Sequence, residues 1–186
     1  MASKIDRFMT VAELDTLPDD GNRYELIEGE LFVSRAPGIP HQLVLHNLQF
    51  EIANYLRRNP IGRLVPGAGA VFSNFDAVIP DLVFVLNENW DQAVTNDRFT
   101  GPLDLVIEII SPGKANRRRD VLVKRRLYGK YEAKEYWIVD PEHRSVSIYR
   151  LSGQTLEEIG SLMDDEELTS TLLPGLAMTV SAIFNL

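Results

Sequence analysis

Cysteine is absent from the 186 residues, which excludes disulfide bridges and thiolate metal sites. A chain without disulfides fits a reducing compartment, and we expect a cytoplasmic protein. The first ten residues contain no apolar segment of the kind found in signal peptides, and no apolar run approaches the length of a membrane span. The sequence therefore predicts a protein without membrane partners.

The composition is that of an ordinary globular chain, with 45% hydrophobic and 25% charged residues. These proportions argue against a disordered, collagen-like or coiled-coil protein. The sequence contains no repeat, low-complexity segment or linker, so we expect residues 1–186 to form one domain. It also contains no Walker loop, dinucleotide fingerprint or Ser-His-Asp order, which argues against those classes of nucleotide-binding protein and hydrolase.

Positive charge is concentrated in one short segment, although the whole chain carries a net charge of −8. Residues 114–126 contain seven Lys or Arg and one Asp, a local charge of +6 that leaves −14 on the rest. Such asymmetry can attract a polyanion to one face of a protein. A solvated helix face without a partner is the alternative, and charge alone does not separate the two.

The hydrophobic pattern predicts a mixed α/β domain. The predicted helices cover residues 6–17, 41–58 and 117–131, and the main predicted strands cover residues 24–27, 30–34, 77–86, 103–110, 135–140 and 145–151. Pro80 should mark the start of a strand or a bend, because proline is poorly tolerated inside a central strand. Residues 87–101 are predicted to be a loop.

Two acidic residues stand where apolar side chains are expected. Alternation along the strand 103–110 puts Glu108 on one face with Val106 and Ile110. Asp81 likewise has apolar neighbours on both sides in the segment IPDLVFVL. A carboxylate in such surroundings is costly unless it is paired, hydrogen-bonded or bound to a metal ion. Each carboxylate can therefore belong either to a structural salt bridge or to a metal site.

One lysine on the predicted helix 117–131 also points toward the core. At 100° per residue, Lys124 falls in the middle of the apolar stripe, whereas Arg119 and Arg126 fall on the outer face. Lys124 can pair with Asp120 at i−4 and extend outward, or it can serve a site.

Two carboxylates and a lysine on a frame of sheet and helix suit metal-assisted hydrolysis of a phosphodiester. The hard oxygens of Asp81 and Glu108 are the ligands that Mg²⁺ or Mn²⁺ prefers. Such a metal ion lowers the pKa of its water and stabilises charge on the phosphate. The ammonium of Lys124 can orient the attacking water or stabilise the transition state.

The order of the motifs resembles the PD-(D/E)XK nuclease superfamily and, within it, the Uma-type restriction-endonuclease-like family. The matching segments are YELIEGEL (24–31), HQ (41–42), IPDLVFV (79–85), LVIEIISP (105–112), RRRD (117–120) with Lys124 and Tyr128 after it, and EYWIVDP (135–141). Each segment alone is weak evidence, and their shared order makes the match specific.

The resemblance implies a restriction endonuclease-like core, with a mixed β-sheet flanked by helices and added β-hairpins. It also implies that Asp81 and Glu108 are the two catalytic carboxylates, and that they bind Mg²⁺ or Mn²⁺ together with the backbone carbonyl of Ile109. The superfamily's usual lysine is missing, because position 110 is isoleucine. Lys124 matches the migrated catalytic lysine, and the helical spacing reaches the same residue independently.

Further candidates lie at the edge of this constellation. The resemblance places Glu25 at the edge of the site, although it is otherwise an ordinary residue of a hairpin strand. His41 is a second candidate for the edge, and the alternative is a helix cap or surface residue. Four basic residues are candidate phosphate contacts, which would hold DNA without reading its sequence. They are Lys114, Arg117, Arg118 and Arg119.

Three functions remain open from the sequence. The first is a metal-dependent endonuclease acting on DNA as a homodimer, since symmetric dimers are common and two sites suit a double-strand cut. The second is a nucleic-acid-binding module with a decayed catalytic site, which binds through residues 114–126. The third is an interaction scaffold with neither property, which the acidic balance would suit.

Overall fold

The computed structural model describes residues 8–111, 113, 117 and 119–185. Its helices are α1 (Val11–Leu14), α2 (Ile39–Arg58), α3 (Trp90–Ala93), α4 (Arg125–Lys130) and α5 (Val180–Phe184). A 3-10 turn at Asn87–Asn89 precedes α3, and a π-helical segment at Arg119–Lys124 precedes α4. Among these described helices, none combines the length and the apolar character needed to cross a bilayer.

The strands form two six-stranded sheets and one two-stranded sheet within the described residues. They are β1 (Asn22–Ile27), β2 (Glu30–Arg35), β3 (Gly62–Pro66), β4 (Ala70–Ser73), β5 (Asp76–Val78), β6 (Leu82–Leu86), β7 (Val94–Thr95), β8 (Arg98–Phe99), β9 (Leu105–Ile109), β10 (Glu135–Asp140), β11 (Ser145–Ser152), β12 (Thr155–Met163), β13 (Glu167–Leu168) and β14 (Met178–Thr179). The central sheet has the order β12-β11-β10-β9-β6-β3, and the second has the order β2-β1-β5-β4-β8-β7. In the central sheet β9 and β10 are parallel and the other neighbours are antiparallel, so the predicted mixed sheet is confirmed.

The central sheet lies between two apolar cores. Leu105 and Ile107 of β9 are fully buried in the core that contains Leu48 of α2. Val106, between them, lies in the opposite core together with Tyr128 of α4. Each fully buried side chain of this size contributes about 1.5–3 kcal/mol. Because side chains alternate along a strand, Glu108 faces the second core, toward α4 and the β1–β2 hairpin.

The β1–β2 hairpin forms as the sequence predicts. Glu28 and Gly29 at its turn both have positive φ values, 51° and 79°. Two central residues with positive φ match the twist of the flanking strands, which is why glycine is favoured there. The turn is tied to the strand β5, because the Glu28 N–H donates to Asp76 Oδ1 at 2.7 Å. This anchor fixes the direction in which β1 carries its side chains.

Two of the predicted elements divide differently in the structure. The strand predicted over 77–86 is two strands, β5 and β6, in different sheets, because Pro80 has no N–H to continue a ladder. Asp81 therefore lies in the crossing between the sheets, directly before β6. The loop predicted over 87–101 is wrong in part, since it holds the 3-10 turn, α3 and the β7–β8 pair.

The helix predicted over 117–131 begins with a wider turn than an α-helix. Hydrogen bonds in a π-helix join residues five apart, and such turns are frequent at functional sites. Arg119 and Lys124 are five apart, so they lie about 140° from each other on an α-helix but on the same side of a π-helix. The predicted outward position of Arg119 is wrong, because its side chain is 13% exposed.

Candidate active site

A polar pocket of about 360 Å³ lies where the β1–β2 hairpin, the start of α2 and the end of β9 meet. Its lining combines carboxylates with cationic groups, most of them buried. The charged or titratable lining residues that are at least partly buried are Arg23, Glu25, His41, Asp81, Glu108, Arg119 and Lys124. The pocket thus brings together all three predicted catalytic side chains and both predicted edge residues.

Asp81 is held at the pocket by groups from three elements. Its Oδ2 accepts a hydrogen bond from the Ile109 N–H at 2.9 Å and lies 3.1 Å from His41 Nε2. Its Oδ1 lies 3.5 Å from a guanidinium nitrogen of Arg23. Burial alone raises the pKa of Asp81, but its bonds to His41 and Ile109 and the charge of Lys124 outweigh burial and lower the pKa. Asp81 is therefore an ionised carboxylate.

His41 is buried, with 5% of its surface exposed, rather than a surface residue at the helix start. Its Nε2 atom faces Asp81, whereas its buried Nδ1 atom has no hydrogen-bond partner among the described residues. Since a carboxylate only accepts, Nε2 is the protonated nitrogen toward Asp81 in the neutral tautomer. His41 consequently fixes the orientation of Asp81.

Glu108 and Lys124 form a buried ion pair in the same pocket. Lys124 Nζ lies 2.9 Å from Glu108 Oε1 and 2.8 Å from Glu25 Oε1. Lys124 is only 2% exposed, so the alternative in which it extends into solvent is wrong. Glu25 also accepts from the Ile79 N–H at 2.9 Å, which ties β1 to the crossing before Asp81. One ammonium therefore joins carboxylates from two different sheets.

Tyr128 completes the surroundings of Glu108. It lies one helical turn after Lys124 and donates its hydroxyl to Glu108 Oε1 at 2.6 Å. Burial and the charge of Glu108 raise the pKa of Tyr128 well above its ordinary value. Tyr128 is therefore a permanent hydrogen-bond donor, and it orients the carboxylate together with Lys124.

The predicted phosphate contacts have different surroundings. Arg119 lies at the pocket wall, 3.8 Å from Glu25 Oε2. Arg117 pairs with Asp140 at the end of β10, so it also has a structural partner. Lys114 and Arg118 lie outside the described residues.

The donor set of the pocket fits the Mg²⁺ or Mn²⁺ that the family resemblance implies. Among the described side chains, no group of three or more His, Asp or Glu is arranged to hold a metal ion. Mg²⁺ does not require such a cage, because it is usually bound by one or two carboxylates, water and substrate phosphates. Asp81 and Glu108 supply two hard carboxylates. The Ile109 N–H points at Asp81, and its carbonyl points to the same edge of β9.

Two residues at the site were missed by the sequence prediction. Arg23 shares one face of β1 with Glu25 and pairs with Asp81, so strand alternation carries the signal for it. Tyr128 follows Lys124 at i+4 and shares its helix stripe. In both cases the spacing puts the residue on the face of a predicted site residue. An arginine on a hairpin strand and a tyrosine on an apolar helix stripe are both ordinary, however, so neither was identified as a site residue.

A family model named Uma2, with the description "Putative restriction endonuclease", matches residues 11–181. A crystal structure described as "a putative nuclease belonging to DUF820" from Anabaena variabilis superposes with a TM-score of 0.74 at 19% sequence identity. The superposition covers 95% of this chain and 97% of that chain, and it shows a shared fold. No curated protein matches the chain.

Proposed function

Since the chain belongs to the Uma2 family of "Putative restriction endonuclease" proteins, we propose that it is a metal-dependent endonuclease that hydrolyses phosphodiester bonds in DNA. The observation that carries the proposal is the buried ammonium of Lys124, held at Glu108 and Glu25 in one pocket with Asp81. Placing a lysine among carboxylates at 2% exposure has a high desolvation cost, which is typical of functional sites.

The two carboxylates have the role of metal ligands in this proposal. Asp81, Glu108 and the carbonyl of Ile109 would hold Mg²⁺ or Mn²⁺. When bound, the ion lowers the pKa of a coordinated water and stabilises negative charge on the phosphate. His41 and Arg23 hold Asp81 in position, and the lowered pKa of Asp81 keeps the carboxylate deprotonated, which is the form that binds a metal ion.

Lys124 is the catalytic cation of the proposed reaction. The oxygen of a water molecule forms a bond to phosphorus while one P–O ester bond breaks. The water loses one proton and the leaving oxygen gains one, so the reaction is a net hydrolysis. The Lys124 ammonium donates hydrogen bonds to the phosphate oxygens as negative charge develops, and Tyr128 keeps Glu108 in place.

Nicking of supercoiled plasmid in the presence of Mn²⁺ or Mg²⁺ tests the proposal. We expect wild-type protein to nick the plasmid, and Asp81→Asn and Glu108→Gln to lose about 100-fold or more in rate, as when a group that stabilises transition-state charge is removed. Asp104→Asn is the matched control, because it also removes a buried carboxylate but lies outside the pocket. Equal nicking by wild type and Asp81→Asn would contradict the proposal.

Metal binding separates the endonuclease from a decayed nucleic-acid-binding module. Both predict DNA binding, but the endonuclease also requires Mn²⁺ to bind at Asp81 and Glu108. Isothermal titration of wild-type protein and Asp81→Asn with Mn²⁺ measures this directly. DNA binding without metal binding or cleavage would favour the decayed module.

A further inference from the structure

The helix α2 has a second apolar face that points away from the core. Three of its large apolar residues are exposed: Ile39 by 76%, Leu43 by 41% and Phe50 by 57%. The inner face of the same helix is separate and carries buried residues such as Leu48 and Ile52. A helix that is apolar on two faces normally packs against something on both of them.

The outer residues follow the spacing of a helix-packing seam. Exposed residues succeed one another at intervals of four, three, four, three and four. They are Ile39, Leu43, His46, Phe50, Ala53 and Arg57. A 4-3 alternation keeps side chains on a line that faces a second helix, because the mean repeat of 3.5 residues matches the winding of paired helices. We call these six residues the outer seam.

We propose that the outer seam binds the outer seam of a second copy of this chain, with the two α2 helices antiparallel. Of the other described helical segments, residues 119–130 pack in the second core, on the far side of the central sheet, and the rest span three to five residues, too short to cover a twenty-residue helix. A twofold axis near the middle of α2 makes the seam its own complement, as an isologous interface requires.

The antiparallel register matches size and charge across the interface. It places Leu43 opposite Ala53 of the partner subunit, so a large side chain meets a small one. It places His46 opposite Phe50 of the partner subunit and Ile39 opposite Arg57 of the partner subunit. No like charges then face each other, whereas a parallel register would put Arg57 opposite the same residue of the partner subunit.

The charge around the seam also favours a second copy. Among the twenty residues of α2 there is one acidic residue, Glu51, and there are two arginines, Arg57 and Arg58. Glu51 lies about 120° from Ile39 around the helix, away from the seam. The helix therefore carries a net charge of only +1 on a chain of net charge −8, so the excess negative charge of each copy lies away from the interface.

The same register links the interface to the pocket. Arg57 of the partner subunit lies opposite Ile39, the residue directly after Gly38, and Gly38 lines the pocket beside His41. The partner copy then adds positive charge at the pocket mouth, where a phosphate backbone would pass. This consequence rests on the proposed nuclease function, whereas the association does not. Association is measured without DNA, so the failure of one is distinguishable from the failure of the other.

Sedimentation equilibrium over a range of protein concentrations tests the association. We expect wild-type mass to rise toward twice the 21.0 kDa of one chain, and Phe50→Glu to remain at 21.0 kDa. Phe75→Glu is the matched control, because Phe75 is also exposed, by 45%, but lies in a turn far along the chain from α2. Wild-type protein that stays at the mass of one chain, or loss of association in both variants, would overturn the proposal.

Cysteine cross-linking tests the register. The chain has no native cysteine, so any disulfide joins the introduced cysteines. Leu43→Cys and Ala53→Cys are made as separate single variants and oxidised alone and as a mixture. We expect disulfide-linked dimers in the mixture and few in either variant alone. Cross-linking of each variant with itself in preference to the mixture would overturn the antiparallel register. Urea unfolding identical to wild type checks that both variants are folded.

Discussion

The ammonium nitrogen of Lys124 lies 2.9 Å from Glu108 Oε1, although the two residues are sixteen positions apart. The position two residues after Glu108, directly beyond the end of β9, holds Ile110, which is buried in the second core at 7% exposure. The cation therefore reaches the carboxylate from the π-helical segment and not from the strand. As a result, the charge balance of the pocket depends on how that segment docks against the sheet.

Replacing Lys124 with methionine should destabilise the fold strongly. The variant leaves Glu25 and Glu108 buried side by side without their shared cation, and breaking a buried pair in this way costs about 3–5 kcal/mol. Lys130→Met is the control, because Lys130 also pairs with an aspartate but its side chain is 50% exposed. We expect the control to lose about 1 kcal/mol or less. Urea unfolding monitored by circular dichroism gives both values.

A double variant separates lost charge pairing from lost packing. Glu25→Gln added to Lys124→Met removes one of the two carboxylates that have lost the Lys124 ammonium, so the double variant should lose less stability than the sum of the single variants. An additive result would mean that the ammonium does not couple the two sheets.

Replacing Tyr128 with phenylalanine should lower both stability and nicking activity, while the protein still folds. The ring is fully buried, and the substitution removes the hydroxyl that donates to Glu108 at 2.6 Å. Loss of a hydrogen bond to a charged group costs about 1.5–3 kcal/mol. The nicking rate should fall as well, because only Lys124, of these two donors, still orients Glu108. Tyr55→Phe is the control, since its hydroxyl donates to the Pro174 carbonyl outside the pocket.

Strand and helix periodicity were enough to predict Glu108 and Lys124 as inward-facing charges. Their burial follows from local spacing, because the periodicity of the strand or helix puts each charged residue on the same face as apolar residues that pack in the core. The 100° spacing of an α-helix failed at Arg119, five residues earlier, because the intervening turn is π-helical. A π-turn follows from how the segment packs, and propensity along the sequence does not encode it.

The sequence indicated His41 as a site residue, but the bonds that it and other groups make to Asp81 could not be predicted, for a different reason. Its bonds come from the backbone of β9, the start of α2 and the strand β1, which are distant along the chain. Such contacts depend on the crossing between the two sheets at Pro80. The sequence marks that crossing as a bend, but it does not say which elements the bend brings together.

Replacing Arg119 with alanine should reduce DNA affinity and its dependence on salt. Arg119 lies at the pocket wall, where it would neutralise a phosphate of bound DNA and so release a counterion from the DNA. Losing one phosphate contact lowers the slope of log K against log salt concentration by about 0.9 for duplex DNA. Arg126→Ala is the control, because Arg126 is exposed beside Glu28 and Phe8, away from this pocket. Fluorescence anisotropy at several salt concentrations measures the slope, and equal slopes for the two variants would contradict the prediction.

Replacing Asp76 with asparagine should make the free energy of unfolding less dependent on pH in acid. Burial alone raises the pKa of Asp76, but hydrogen bonds from Glu28, Tyr131, Lys130 and Ser73 outweigh it, so the pKa lies below the ordinary value of 3.8. A carboxylate with a lowered folded-state pKa contributes stability that is complete above the unfolded-state pKa. That contribution is lost as the pH falls through the lower folded-state value.

The measurement is the urea midpoint between about pH 6 and about pH 2, the range that contains this transition. The urea midpoint of wild-type protein should fall steeply below the ordinary aspartate pKa of 3.8. The midpoint of Asp76→Asn should be lower near pH 6 but should fall less as the pH is lowered. Some slope remains in the variant, because the pKa values of Asp81 and Asp140 are also lowered. Asp15→Asn, which removes a carboxylate whose side chain is 57% exposed, should retain the wild-type slope. An Asp76→Asn curve parallel to wild type would mean that the anchor between the hairpin turn and β5 does not depend on charge.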